Sequence, residues 1–259
     1  MKIGIIGAGN LGSSLAKLFL KNGYGNNIIL SDQNNDLDIM KTGFWTAPAQ
    51  NNIHLSDIIF ITVKPNIVSS ILKYITEYGN SDKIIISAAA GVSIDYIEEK
   101  LNSKSYPIIR CMPSLAKGAI TYYSNKNVKY DHILEIKKML NGSYILEVKN
   151  ERLIDVSTIL IGSMPAYASF IAREYINFGI SEGFTEEEAL NLYITTLSGT
   201  VDLLKNKLPE NIMKMVATPN GVTQKGLDIL ELSEIKSIIS SSLYTSYERI
   251  ESIKKNLDW

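Results

Sequence analysis

Six residues near the start of the chain limit what it can fold into. Gly7-Ala8-Gly9-Asn10-Leu11-Gly12 has the spacing G-x-G-x-x-G and directly follows the apolar segment Lys2-Ile3-Gly4-Ile5-Ile6. The spacing alone is common, and an ordinary tight strand–helix turn is its structural alternative. Context gives it force: it follows a strand-like run and opens a helical pattern, with Leu11, Leu15, Leu18 and Phe19 on one face. There Gly7 permits a tight turn, Gly9 lets backbone approach a pyrophosphate, and Gly12 lets helix and strand pack closely. The unpaired N–H groups and the positive end of the helix make an anion site. Gly7, Ala8, Gly9, Asn10, Leu11 and Gly12 are therefore the first candidate cofactor contacts.

Asp32 lies twenty residues past Gly12, after the second apolar strand, Ile28-Ile29-Leu30. A carboxylate there bonds the adenine ribose hydroxyls and repels a 2′-phosphate, and no Lys or Arg follows before Lys41. The cofactor is NADH or NADPH, with a lean to NADH. The alternative is that Asp32 caps the next turn.

Further apolar strands are expected at 57–63, 83–88, 107–111, 119–123 and 143–148, with helices at 11–21, 66–78, 93–101 and 131–140. Such alternation means a mostly parallel sheet covered on both faces. Beyond Lys149–Glu151 the pattern holds no strand, and 153–180, 185–208, 222–230 and 234–257 all read as helices. The expected architecture is an α/β Rossmann-type dinucleotide-binding domain over 1–150, then an all-α domain over 151–259. Pro165 should kink or break the first of the later helices, because it lacks an N–H.

Composition narrows the function classes. The chain is 45% hydrophobic and 20% charged, as in soluble globular proteins. A formal net charge of −1 gives no case for nucleic acid or an anionic membrane surface. No apolar run approaches the roughly 18 to 20 residues that span a bilayer, and the start lacks a signal-peptide layout. The single cysteine, Cys111, rules out an intramolecular disulfide and fits a reducing cytoplasm. It is expected to be a small buried hydrophobe. His54 and His132 stand apart, so no metal site is expected.

Several later segments together resemble the pyrroline-5-carboxylate reductase family. The run from Ser56 to Pro65, ending Val63-Lys64-Pro65, is similar to the family's third-strand segment beside the cofactor. Ser87-Ala88-Ala89-Ala90-Gly91-Val92 is similar to its turn near the nicotinamide, and Arg110-Cys111-Met112-Pro113-Ser114 to its Arg-x-Met-Pro-Asn turn. Ile161-Gly162-Ser163-Met164-Pro165-Ala166-Tyr167 and Thr218-Pro219-Asn220-Gly221-Val222-Thr223 match two more, in order. The resemblance implies reduction of 1-pyrroline-5-carboxylate to L-proline by NAD(P)H, in proline biosynthesis. It implies cofactor contacts at Val63, Lys64, Pro65, Ala89, Ala90, Met112 and Pro113, substrate contact at Thr223, and a Glu at the position of Glu151 close to the active site. It also implies that the helical domain forms a homodimer or a ring of dimers.

Reducing a small cyclic imino acid asks the protein mainly to orient it, since the cofactor carries the hydride. The substrate carboxylate needs an anion site, and Gly221-Val222-Thr223 open a helix whose free N–H groups offer one. The Thr223 hydroxyl is assigned to the ring nitrogen. Its bland alternative is a helix-start residue favoured for its side-chain oxygen. Ser163 is the second catalytic candidate, and Met164 and Glu151 are substrate-pocket candidates, an exposed helix-start carboxylate being the alternative for Glu151. The chain departs from the family pattern at Ser114 for Asn, Met164 for Gly or Ser, Asn220 for Gly and Val222 for Thr or Ala. Met164 and Asn220 keep open a related imine or 2-hydroxyacid-type dehydrogenase. A non-catalytic NAD(P)-binding regulatory protein is a third reading.

Overall fold

The computed structural model describes residues 1–32, 44–115 and 118–257. Among these, eight strands form one sheet: β1 (Ile3–Ile6), β2 (Ile28–Ser31), β3 (Trp45–Thr46), β4 (Ile58–Ile61), β5 (Ile84–Ser87), β6 (Ile108–Pro113), β7 (Ala119–Ser124) and β8 (Tyr144–Glu147). Their order is β3-β2-β1-β4-β5-β6-β7-β8. Every pairing is parallel except β6 with β7. The expected mostly parallel Rossmann-type sheet is thus present.

Strand periodicity sorts the isoleucines onto two faces. Ile58 and Phe60 join Ile3, Ile5, Ile28 and Leu30 under α1 (Asn10–Phe19) and α5 (Tyr130–Met139). Ile59 and Ile61 join Ile6, Ile85 and Ile108 under α2 (Ala49–Leu55), α3 (Pro65–Tyr78) and α4 (Ile94–Lys100). Pro65 starts α3 at its first turn, where a missing N–H costs nothing. Ser93 caps α4, its hydroxyl oxygen accepting from the Tyr96 amide at 3.1 Å.

Neither α2 nor the two-residue β3 is foreseen by the apolar pattern, because α2 buries a polar residue. Asn52 is fully buried. Its Nδ2 donates to the Ile29 carbonyl at 3.0 Å and to Ser31 Oγ at 2.9 Å, while Oδ1 accepts from Ser56 Oγ at 2.9 Å. A Cβ on Gly4 would lie 2.2 Å from Asn52 Oδ1 and 2.6 Å from Ser56 Oγ.

Past Glu147 no strand occurs among the described residues. α6 (Arg152–Ser157) runs into a widened, π-type turn over Thr158–Ser163, followed by α7 (Met164–Ser181), α8 (Glu186–Leu204), α9 (Pro209–Val216), α10 (Val222–Leu232) and α11 (Ile235–Lys255). The break expected at Pro165 is absent: the helical trace continues from Arg152 to Ser181. The widened turn lies just ahead of the proline, where the ladder must accommodate its missing donor.

The chain separates into two compact units, 1–163 with 246–259, and 164–245. Strands end near the boundary expected at 150, but compactness divides the chain elsewhere, because residues 151–163 and the last turns of α11 pack with the sheet. Ile154 shares a cluster with Met112 and Val148, and Leu257 shares one with Ala89 and Val92.

In the second unit only Ala189 and Ile212 are buried, while Phe170, Tyr175, Phe178, Leu208 and Leu232 are exposed. The helix 152–181 averages a hydropathy of 1.4 over its most apolar 18-residue window, enough by length and composition to cross a membrane. That corrects the expectation that no segment reaches this limit: Thr158, Gly162 and Ser163 interrupt strict apolar runs without lowering the average much.

Gly4→Ala should lower stability by about 1–3 kcal/mol, since the methyl must displace the Asn52 network. Thermal unfolding should read this as a midpoint lowered by several degrees.

Candidate active site

Parallel strands leave the sheet with one carboxyl edge, and β1 ends there at the glycine turn. The chain passes from β1 to β2 and β3 on one side, then crosses to β4 on the other, so β1 and β4 flank the switch point where ligands bind in such sheets. Gly7, with φ +101°, donates its N–H to the Ser31 carbonyl at 2.8 Å. Thr62, just past β4, donates its hydroxyl to the carbonyls of Gly7 at 2.6 Å and Ile6 at 3.1 Å. A Cβ on Gly12 would sit 2.1 Å from the Gly7 carbonyl oxygen. Gly7 and Gly12 are glycines for reasons internal to the protein.

Gly9 differs. Its φ of −61° and ψ of −165° suit any residue, and a Cβ there would meet nothing within 4 Å. It caps α1, whose free N–H groups begin at Asn10. Ala8 is buried, Asn10 exposed, and Leu11 turns its side chain into the core. The open space belongs to a cleft of about 600 Å³ lined by Gly7, Gly9, Asp32, Thr62, Val63 and Lys64, among others. A backbone cradle opposite a carboxylate fits a dinucleotide: the pyrophosphate on the α1 terminus, the ribose toward Asp32. Lys64, exposed, precedes Pro65 at the start of α3.

The other expected cofactor residues do not line this cleft, although they follow or end neighbouring strands on the same edge. Ala89 is buried and Ala90 half-buried in the turn after β5. Met112 packs its side chain with Val148 and Ile154, and Pro113 ends β6. Cys111 beside them is buried, and that burial pushes its thiol pKa up to about 12, with Arg110 opposing weakly. It is an apolar filler, as expected. Among the described residues no three His, Cys, Asp or Glu are grouped to hold a metal ion.

Glu151 is neither a lone exposed carboxylate nor a residue of the cleft. Its Oε1 accepts from Arg110 Nη1 at 2.9 Å and from the Ile94 amide at 2.7 Å. Arg110 Nη2 reaches Asp155 Oδ1 at 2.9 Å. Neither the Arg110–Asp155 pair nor Thr62 is foreseen above. One signal was there: a charge inside the apolar run 107–111, with two carboxylates four residues apart on one helical face. Ser163 Oγ sits 3.4 Å from the Thr158 carbonyl, within the widened turn.

In the second unit, Met164 is exposed at the start of α7. Gly221 is the N-cap of α10, and a Cβ on it would lie 2.3 Å from Thr218 Oγ1. Val222 is exposed, and Thr223 is the second helical residue rather than the cap. Its hydroxyl is therefore not the cap of α10. Asn220 has φ +60°, a conformation that asparagine tolerates better than other non-glycine residues, so the departure from glycine preserves the turn.

Fold and cleft define a class: a Rossmann-type dinucleotide-binding protein. A family model described as pyrroline-5-carboxylate reductase dimerisation matches residues 151–253. A second, NADP oxidoreductase coenzyme F420-dependent, matches 2–91. Pyrroline-5-carboxylate reductase 2 of Bos taurus is 30% identical over 100% of this chain and 85% of its own length. The pyrroline-5-carboxylate reductase of Aquifex aeolicus is 29% identical over 98% of this chain and 97% of its own. The crystal structure of Plasmodium falciparum pyrroline carboxylate reductase with NADP bound superposes with a TM-score of 0.91 at 26% identity, covering 98% of each chain. The chain belongs to the pyrroline-5-carboxylate reductase family.

Gly9→Val should lower stability by only about 1 kcal/mol, since nothing in the protein contests the space and the loss is that of a better N-cap residue. It should weaken NADH and NADPH binding by on the order of tenfold or more, the cost of about 1–3 kcal/mol of steric overlap with a bound pyrophosphate. Titration of protein fluorescence checks this.

Proposed function

We propose that the chain is an NAD(P)H-dependent oxidoreductase that reduces 1-pyrroline-5-carboxylate to L-proline. The observation that carries the reading is Gly9, a glycine at the helix start with open space where a Cβ would be, at the switch point of a chain of this family. The reduced nicotinamide supplies the hydride when bound. The α1 terminus holds the pyrophosphate and Asp32 the adenine ribose. A carboxylate there opposes a 2′-phosphate, so the lean is to NADH, although the Plasmodium falciparum relative binds NADP. In the second unit, the Gly221 N–H is held by the Thr218 carbonyl at 2.8 Å, so the first-turn N–H groups of Val222 and Thr223 take the substrate carboxylate, and the Thr223 hydroxyl donates to the ring nitrogen. Ser163, Met164 and Glu151 are assigned to the substrate side.

The apolar second unit is assigned to dimer formation. Phe170, Tyr175, Phe178 and Leu208 are all exposed, and large exposed apolar side chains in number favour an interaction surface. A second copy, rather than lipid, covers it, and the reducing cytoplasm suits the lone buried thiol. Nucleic acid has no place in this reading.

The test is NADH and NADPH oxidation with pyrroline-5-carboxylate, beside a panel of cyclic imines and 2-hydroxyacids. Turnover of another substrate in preference would shift the reading to a related dehydrogenase, and tight dinucleotide binding without turnover to a regulatory protein. Thr223→Ala should lower kcat/KM by about ten- to a hundredfold, and an unchanged value would remove Thr223 from the mechanism. Light scattering without detergent should give at least a dimer at micromolar concentration. A monomer there would contradict the assignment of the helical unit.

A further inference from the structure

Arg110 stands in the middle of an apolar strand, its side chain 1% exposed. It divides its guanidinium between two carboxylates, 2.9 Å from Glu151 and 2.9 Å from Asp155. Asp155 is equally buried, and its other oxygen lies 2.7 Å from Lys254 Nζ, near the end of α11. Lys254 also pairs with the more exposed Glu251 at 2.8 Å. Burial lowers the Lys254 pKa, but the bonds to Asp155 and Glu251 outweigh it and raise the value overall, so the ammonium keeps its charge.

The four inner groups balance: two cations, Arg110 and Lys254, against two anions, Glu151 and Asp155. The far end of this chain of contacts is the Ile94 amide, which Glu151 accepts at the first turn of α4. α4 is entered directly from the turn holding Ala89, Ala90 and Gly91. The last turns of α11 press on that turn as well: a Cβ on Gly91 would lie 3.0 Å from Ile253 Cγ2 and 3.3 Å from the Ile250 carbonyl oxygen. Lys254 and the Ala89–Gly91 turn are thus joined both by apolar packing and by a relay of ion pairs.

We propose that Lys254 is a positioning residue for the cofactor, holding the Ala89–Gly91 turn in its binding conformation through Asp155, Arg110 and Glu151. The inference rests on the reading of Ala89 and Ala90 as cofactor contacts. Charge balance gives the mechanism. While Lys254 neutralises one oxygen of Asp155, Arg110 needs to satisfy only the other and can also hold Glu151. Without Lys254, Asp155 draws the whole guanidinium in the two-pronged geometry arginine favours. Arg110 Nε–H is buried without a partner, so a full set of bonds does not lock the present orientation. Glu151 is then released, and with it the Ile94 amide.

The experiment compares full-length wild type, Lys254→Met and Lys254→Arg. It measures Kd for NADH and NADPH by fluorescence, KM and kcat for dinucleotide and imine, and the melting midpoint. For Lys254→Met, Kd and KM for the dinucleotide should rise about three- to tenfold, with kcat within about twofold. Lys254→Arg should restore binding. Faster hydrogen exchange at the Ile94 amide should accompany the loss. A lowered midpoint with unchanged dinucleotide Kd overturns the proposal, since a merely structural pair behaves that way. If Lys254→Met does not fold, Lys254→Gln, which keeps a donor without the charge, carries the same readouts. Wild type that binds no dinucleotide overturns the proposed function and this inference together. Wild type that binds, with Lys254→Met binding equally well, overturns this inference alone.

Discussion

The fold depends on how closely α1 approaches the end of β1. One methyl on residue 12 would fall 2.1 Å from the Gly7 carbonyl oxygen. That proximity aims the first free amides of α1 along the carboxyl edge of the sheet instead of away from it. Thr62 reinforces the same point from just past β4, its hydroxyl donating to the successive carbonyls of Ile6 and Gly7. Strands β1 and β4 are therefore tied at the place where the connections diverge. The cleft opens there because the backbone on both sides is already held.

Features set by neighbours in sequence were legible from the chain alone. The three glycines, the isoleucine strands and the early helices follow from local sterics and from two- and 3.6-residue periodicities. The eight-stranded sheet could thus be anticipated in its essentials, apart from the two-residue β3. Features made by distant polar partners were not. Arg110 meets Glu151 and Asp155 across 41 and 45 residues, and periodicity carries no information about such pairings. Asn52 was hidden for a related reason: a polar residue in a short helix reads as surface until its partners on β2 are known. The change of secondary structure near 150 was visible in sequence, whereas the return of α11 to the sheet was not.

Thr223 is a residue for which sequence and structure supply different information. Sequence alone leaves its hydroxyl with two uses, capping or binding. The structure places Gly221 at the cap, and the departures at Asn220 and Val222 leave the turn and the helix start in place. The second unit surrounding it behaves unlike the first. Its helices leave Phe170, Tyr175 and Phe178 exposed, whereas in the first unit β1, β2, β4, β5 and β6 are buried along their whole length.

The last turns of α11 and the turn that follows it complete the core of a domain whose first strand is residues 3–6. Leu257 lies with Ala89 and Val92, and Lys254 balances the buried charge of Asp155. Protein synthesis is vectorial, and domains commonly fold as they emerge, N-terminal part first. Here the nucleotide-binding half leaves the ribosome early yet lacks one wall and one counter-ion until α11 has emerged. Its final consolidation therefore waits for a segment more than two hundred residues downstream of its first strand, and a ribosome stalled within α10 would hold a sheet that is assembled but not sealed.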